Sequence, residues 1–334
     1  MDPGQFFASS RILIVAGKGG VGKTATSASL ALAAAQTGRN VLVVEVAGRL
    51  DSAPMFGVDP QGYDEHRVYK HSVDDHSVDN DSGRGRVRCR SITPDAALVD
   101  WLSNHGFARI VRRMSKSGLL EIVASATPGI KELLVLGQIK HLEQSRVADL
   151  IVVDAPAAGH ALNFLKAPLA VHNTARTGVL RRQATEALEM LSDSERCRAL
   201  LVTIAEETPI KELVETAFAV EDEVGLALGP VVVNGLLPSI EALDTSSELH
   251  VSDIGASESG LGAPEISDLV TAANFRRDRL SLQNDQLASL AQQLPLAQIR
   301  LPHLFTTSVG LTELKTLTES ATASIEAIEQ WAGS

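Results

Sequence analysis

Residues 11 to 38, RILIVAGKGGVGKTATSASLALAAAQTG, constrain the fold more than any other stretch of the chain. A short aliphatic run, ILIVAG, passes through a glycine-rich turn into a segment of helix-forming composition that stops at Gly38. A second run, VLVVEV, follows almost at once. Strand, helix and strand in this order make a parallel pair, because the helix carries the chain back to the end where the first strand began. Further buried-strand candidates are LIVVDA at 150–155, ALLVTIA at 199–205, GPVVVNG at 229–235 and LAQIRLP at 296–302. Helical patterns separate them, for example TPIKELVETAFAVEDEVG, where Thr208 reads as an N-cap and Pro209 as the first helical residue. The expected fold is α/β: a mostly parallel sheet covered by helices on both faces.

The alternation stops between 94 and 145, where several short helices in succession are expected as an insert in the sheet domain. Two segments are too polar to offset the entropy of ordering them, 59–86 and 241–268, and are expected to be mobile surface loops. His66, His71 and His76 recur every five residues in the first of these, a spacing that suits neither a helix face nor a strand face. The C-terminal LTELKTLTESATASIEAIEQWAGS has apolar residues at helical spacing and an acidic polar face, which predicts a packing helix and not a membrane-surface one.

Composition excludes several classes of function. Apolar residues make up 44% of the 334 but aromatics only 4%, so the core must be built from Val, Ile, Leu and Ala. A net charge of −11 argues against a nucleic-acid footprint, which needs clustered Lys and Arg. Cys89 and Cys197 are the two cysteines, far apart, which speaks against a disulfide framework or a thiolate zinc site. With no basic, apolar leader pattern and no long uninterrupted apolar run, the expectation is a cytoplasmic protein without stable membrane insertion.

The glycine-rich turn, GKGGVGKT from Gly17 to Thr24, matches G-x-x-x-x-G-K-S/T and lies between a strand and a helix, where that pattern works. Its backbone N–H groups can curl around phosphate oxygens, and the helix N-terminus adds unpaired donors and a favourable dipole. The expected phosphate-binding set is Gly17, Lys18, Gly19, Gly20, Val21, Gly22, Lys23, Thr24 and Ala25. Lys23 supplies a cation to the β- and γ-phosphates, and Thr24 offers a hydroxyl to Mg²⁺. Asp154, closing the run LIVVD, is the expected acidic partner on the metal side. One lysine suffices for the phosphates, so Lys18 needs another role.

GKGGVGKT resembles the deviant Walker A motif of the ATPase class that includes MinD, ParA, the nitrogenase iron protein and the arsenite-pump ATPase (ArsA). Within that class, DAPAAGHALNFLKAP at 154–168 resembles the second switch of the branch formed by ArsA and the tail-anchored-protein targeting ATPase. TPGIKELLVLGQI at 127–139 resembles its helical subdomain. VVVNGL at 231–236 and LPHLF at 301–305 resemble its adenine-holding segments. The whole is most similar to the single-domain ArsA-like ATPases of actinobacteria. The resemblance implies a P-loop NTPase fold with a helical insert, ATP and Mg²⁺ as cofactors, and slow ATP hydrolysis by a dimeric switch. It implies that Lys18 reaches the nucleotide of the facing subunit, that Asn234 is a bidentate adenine partner and that Pro302 shapes the second adenine loop. The implied partners are a second copy or a related ATPase, and a client protein of unknown identity.

The departures narrow this. The chain has one P-loop, no cysteine cluster for a soft metalloid, no C-x-x-C zinc clip and four Met in all. Where the family places a water-orienting Asp, two residues beyond Glu45, stands Ala47. Glu45 then reads either as a catalytic acid at the metal's outer shell or the attacking water, or as a satisfied strand-end acid, with Asp51 a further candidate. Activity that is low or needs a partner follows. Two other readings stay open: a MinD- or ParA-like spatial organiser, and a weakly catalytic regulatory subunit of a heteromeric ATPase.

Overall fold

All six apolar runs read as strands enter one eight-stranded sheet. The computed structural model describes residues 1–46, 50–59, 66–70, 85–102, 129–240 and 262–329. In chain order the elements are α1 (Pro3–Phe6), β1 (Ile12–Gly17), α2 (Lys23–Gln36), β2 (Asn40–Val46), β3 (His66–Lys70), β4 (Arg86–Ile92), α3 (Pro94–Leu102), α4 (Ile130–Gln144) and β5 (Leu150–Ala157). There follow α5 (Ala158–Thr174), α6 (Val179–Ser192), β6 (Cys197–Ile204), α7 (Glu207–Ala219), β7 (Val231–Leu236), α8 (Ala263–Gln293), β8 (Gln298–Pro302) and α9 (Leu311–Glu326). The strand order is β3-β4-β2-β5-β1-β6-β7-β8, parallel throughout except for the antiparallel pair β3–β4. Strand β1 is therefore central, and the carboxyl ends of β2, β5, β6 and β7 converge around the loop that leaves it. Such a crevice is where open α/β sheets bind ligands.

Successive side chains of a strand point to opposite faces, and here both faces are buried. Ile12, Ile14, Leu42, Val44, Ile151 and Val153 face the layer that contains α4 to α7, while Leu13, Val15, Val41, Val43 and Val152 face α2 and α9. Full burial of one such side chain is worth roughly 1.5–3 kcal/mol, so the sheet faces dominate the stability. Helix α2 is buried from Thr26 to Ala35, because small residues let it lie close to the strands while Leu314, Leu317, Ala321 and Ile325 of α9 cover its outer side. The C-terminal helix thus packs as expected. Its end is held by the Met1 ammonium, which donates to the carbonyls of Glu326 at 2.8 Å and Ile328 at 2.7 Å, where the helix dipole favours a positive charge.

At the opposite end of the strands from the crevice, Glu143 near the foot of α4 is buried between two arginines. It lies 3.3 Å from Arg11 Nε and 2.8 Å from Arg196 Nη2, just ahead of β1 and β6. A buried acid of this kind persists only because both partners reach it.

Some expectations change. The segment 59–86 is not wholly a loop, because β3 occupies 66–70 and pairs with β4. Val68 is buried while Arg67 and Lys70 are exposed, so a single covered face is enough. Strand β4, RVRCRSI, was hidden by arginine at every second position; those residues are half-buried, and Arg88 donates to the Val147 carbonyl. Residues 263–268 are helical and belong to α8, whose start is capped by Glu265 accepting from the Gly262 N–H at 2.7 Å. Helix α7 begins at Glu207 with Glu206 as its N-cap residue, which places Thr208 and Pro209 inside the first turn. Helices α3 and α4 occupy 94–102 and 130–144, and 103–128 lies outside the described residues, as do 241–261, Ala47, His71 and His76.

Candidate functional site

The loop after β1 takes its path from two glycines. A Cβ at Gly17 would lie 2.3 Å from the Val202 carbonyl oxygen, so only glycine lets β1 leave the sheet at this point. Gly22, the residue that caps α2, has φ +89°, and a Cβ there would lie 2.1 Å from Asn234 Nδ2. Its conformation and its neighbour each exclude a side chain. Helix α2 then begins at Lys23 with no acidic residue in its first turn, leaving its amino-terminal N–H groups and dipole unopposed for an anion. Ala25 sits half-buried in that turn.

Lys23 folds over the loop and donates to the Lys18 carbonyl at 3.1 Å. Burial pulls its pKa down and the Asp154 charge partly restores it, so the ammonium is short of partners. Thr24 donates its hydroxyl to Asp154 Oδ2 at 2.6 Å, and Ser27, one turn further along α2, donates to Oδ1 at 3.3 Å. Burial raises the Asp154 carboxyl, opposed by the Thr24 hydrogen bond and the Lys23 charge. Such an acid gains from a nearby cation. Magnesium takes oxygen ligands, and the Thr24 hydroxyl with the Asp154 carboxylate makes a compact oxygen pair beside the loop, so the residues fit that ion. No group of three or more His, Cys, Asp or Glu among the described residues offers an alternative metal site.

Glu45 is brought beside Asp154, directly opposite it in the β2–β5 register. Its oxygens are engaged: Oε2 accepts from the Asp51 N–H at 2.7 Å, and Oε1 accepts from the Ser52 N–H at 3.0 Å and the Ser52 hydroxyl at 2.5 Å. Burial raises its carboxyl and the Ser52 donors oppose the rise. Behind Ser52, 3.3 Å from its hydroxyl, lies Cys89, whose thiol burial pushes up to about 12. That thiol stays neutral.

Lys18 points to its own chain, forming an ion pair with Glu212 of α7 at 2.6 Å. Asn234 is brought to the loop, where its Nδ2 donates to the Val21 carbonyl at 2.9 Å. One of the two amide hydrogens is thus taken up by the loop, and the other hydrogen and Oδ1 remain for a ligand. Pro302 ends β8 opposite Leu236. Beyond it a cavity of about 670 Å³ is lined by Gly235, Leu237, Phe275, Arg276, His303 and Phe305. The Arg276 guanidinium carbon lies 5.5 Å from the centre of the Phe305 ring, and the His303 ring 4.6 Å from it. Phe275 and Phe305 are 68% and 71% exposed.

Sequence reading assigned no role to Phe275 or Arg276, and took Phe305 only as the end of the adenine-holding segment LPHLF. In a chain with eight Phe, two this exposed would have been the signal, had exposure been visible. Ser27 was also missed, although its place three residues after Thr24 sets both hydroxyls on one face of α2.

A glycine loop wrapped onto a helix N-terminus, a lysine over it and a hydroxyl–carboxylate pair beside it define a P-loop nucleotide-binding protein. A family model described as the CobQ/CobB/MinD/ParA nucleotide binding domain matches residues 12–246, and the chain belongs to that family. It is similar to ATPase BagA of Mycobacterium tuberculosis (strain ATCC 25618 / H37Rv), with 32% identity over 321 residues, 90% of this chain and 88% of the relative. It is also similar to ATPase GET3 of Chaetomium globosum, 30% identical over 165 residues that cover 48% of this chain and 43% of that protein. GET3 of Pyricularia oryzae is 29% identical over 168 residues, 48% of this chain and 44% of its own. These relatives agree with the ArsA-like resemblance of the motifs. Among the described residues no helix is long and apolar enough to cross a membrane.

Proposed function

We propose that the chain binds Mg²⁺ and ATP at Gly17–Thr24 and hydrolyses the ATP slowly, as a dimeric switch of the ArsA-like type. One observation carries the reading: the Thr24 hydroxyl on Asp154 Oδ2 at 2.6 Å, beside a half-buried lysine at the mouth of a glycine loop. Membership of a nucleotide-binding family and the relatives' names support it. When bound, Mg²⁺ would supply positive charge to the phosphates of the nucleotide. Thr24 and Asp154 hold it, directly or through water. Lys23 exchanges the Lys18 carbonyl for phosphate oxygens, a stronger acceptor for an ammonium. Asn234 Oδ1 accepts from the adenine amino group, and the faces of Phe275 and Phe305 flank the base.

Lys18, exchanging Glu212 for phosphate, reaches the nucleotide of a facing copy or of a related ATPase, placing charge there only when two subunits meet. Helices α3 and α4 carry the change in shape to a client protein. Calorimetry with Mg²⁺ and ATP tests the central site: Lys23→Ala should weaken binding about 100-fold, the worth of a charge-assisted contact. Undiminished affinity in that variant would remove the site from the account.

A further inference from the structure

Hydrolysis at a P-loop needs a side chain that orients the attacking water. Among the described residues three acids stand where β2 and β5 end beside the loop: Asp154, Glu45 and Asp51. Asp154 is engaged by Thr24 and Ser27. Glu45 is 5% exposed, and both of its oxygens hold the chain at 51 and 52, so water has no access to it. Asp51 differs: its backbone N–H is clamped by Glu45, but the residue is exposed. Glu45 itself faces Asp154 across the strand pair, so the clamp fixes Asp51 at the rim of the same site. The Asp51 carboxylate is near enough to help raise the Asp154 carboxyl.

We infer that Asp51 orients the attacking water in this chain, and that Glu45 is a positioning residue that fixes Asp51 by accepting its backbone N–H and those of Ser52. The inference rests on the ATP-hydrolysing reading above. It gives the three-donor clasp on a buried acid a purpose. It also explains how a chain with alanine at position 47 keeps a polar group at the reacting end.

The test uses the full chain with Mg²⁺, measuring ATP affinity by calorimetry and single-turnover phosphate release. A third readout is how much tighter Mg·ADP binds when aluminium fluoride is added. Asp51→Asn should slow release about 100-fold, the range for loss of a residue acting on the nucleophile, while ATP affinity stays within about threefold. It should also abolish the tightening by aluminium fluoride, and Asp51→Glu should restore part of both. Glu45→Gln should slow release, and Asp51→Asn combined with Glu45→Gln should be no slower than Asp51→Asn alone, because the clasp acts only through Asp51. Wild-type release by Asp51→Asn overturns the inference, and so does a double variant whose losses multiply. A wild-type chain that binds Mg·ATP yet releases no phosphate in a single turnover overturns it as well, leaving the binding reading intact. A chain that binds no ATP overturns the proposed function itself.

Discussion

Asn234 Nδ2 and the Val21 carbonyl are joined at 2.9 Å, so the strand beside the cavity and the glycine loop are linked by a direct hydrogen bond. The same amide leaves no room at Gly22, where a Cβ would approach it to 2.1 Å. Gly22→Ala should therefore destabilise the chain by about 2 kcal/mol, part from the clash and part from the positive φ. Adding Asn234→Ala removes the clash but not the backbone strain, so the double variant should recover only part of the loss relative to Asn234→Ala alone. Denaturant unfolding of the four species measures this; full recovery would mean that φ at 22 carries no strain.

Burial raises the Glu45 carboxyl above its unfolded value, with the Ser52 donors opposing. An acid raised in this way holds its proton more tightly in the folded chain, so its contribution favours folding at low pH. That contribution is lost as pH climbs from the ordinary glutamate value, about 4.3, through the folded one. Gln at 45 cannot ionise. The stability of wild type minus that of Glu45→Gln should therefore fall as pH rises above the ordinary glutamate value and through the raised folded one, measured by thermal unfolding without nucleotide. A difference that grows in favour of wild type over this range would show that the clasp lowers the carboxyl instead.

The pair Lys18–Glu212 is about two-fifths exposed on both sides, so it contributes at most about 1 kcal/mol and gives way readily to a phosphate. Lys18→Ala should leave ATP affinity within about threefold while lowering turnover by about 10³, the lower bound for a cation supplied in trans. Nucleotide-dependent assembly, followed by light scattering, should weaken with it. An equal fall in affinity and turnover would place Lys18 on its own nucleotide.

Glu143 lies far from the loop, yet its loss should matter. Glu143→Gln leaves Arg11 and Arg196 short of a carboxylate, and with both arginines partly solvated the expected loss is about 2 kcal/mol in chemical denaturation. ATP affinity at the remaining folded fraction should not change. A silent substitution would mean that solvent already screens both pairs.

What was legible in the sequence is what the chain encodes locally. The run ILIVAG, the turn to Gly22, the helix after it and Asp154 at the end of LIVVD each depend on neighbours within a few residues, and each is found where it was read. Strand β4 was not legible because its arginines alternate with apolar residues, a pattern that looks solvated until the sheet edge is known. The clasp on Glu45 was invisible for another reason. Its donors lie six and seven residues on, and only the fold brings them to the Glu45 carboxylate. Phe275 and Arg276 reach the cavity from a helix that starts some thirty residues after β7, and no spacing rule announces such a meeting.

The arginine grip on Glu143 gives α4 the character of a mast stepped at its base. Fifteen residues make a rod about 22 Å tall, its heel bolted beneath β1 and β6 and its head starting from Gly129. A spar mounted this way cannot slide along its own axis without unpairing both arginines.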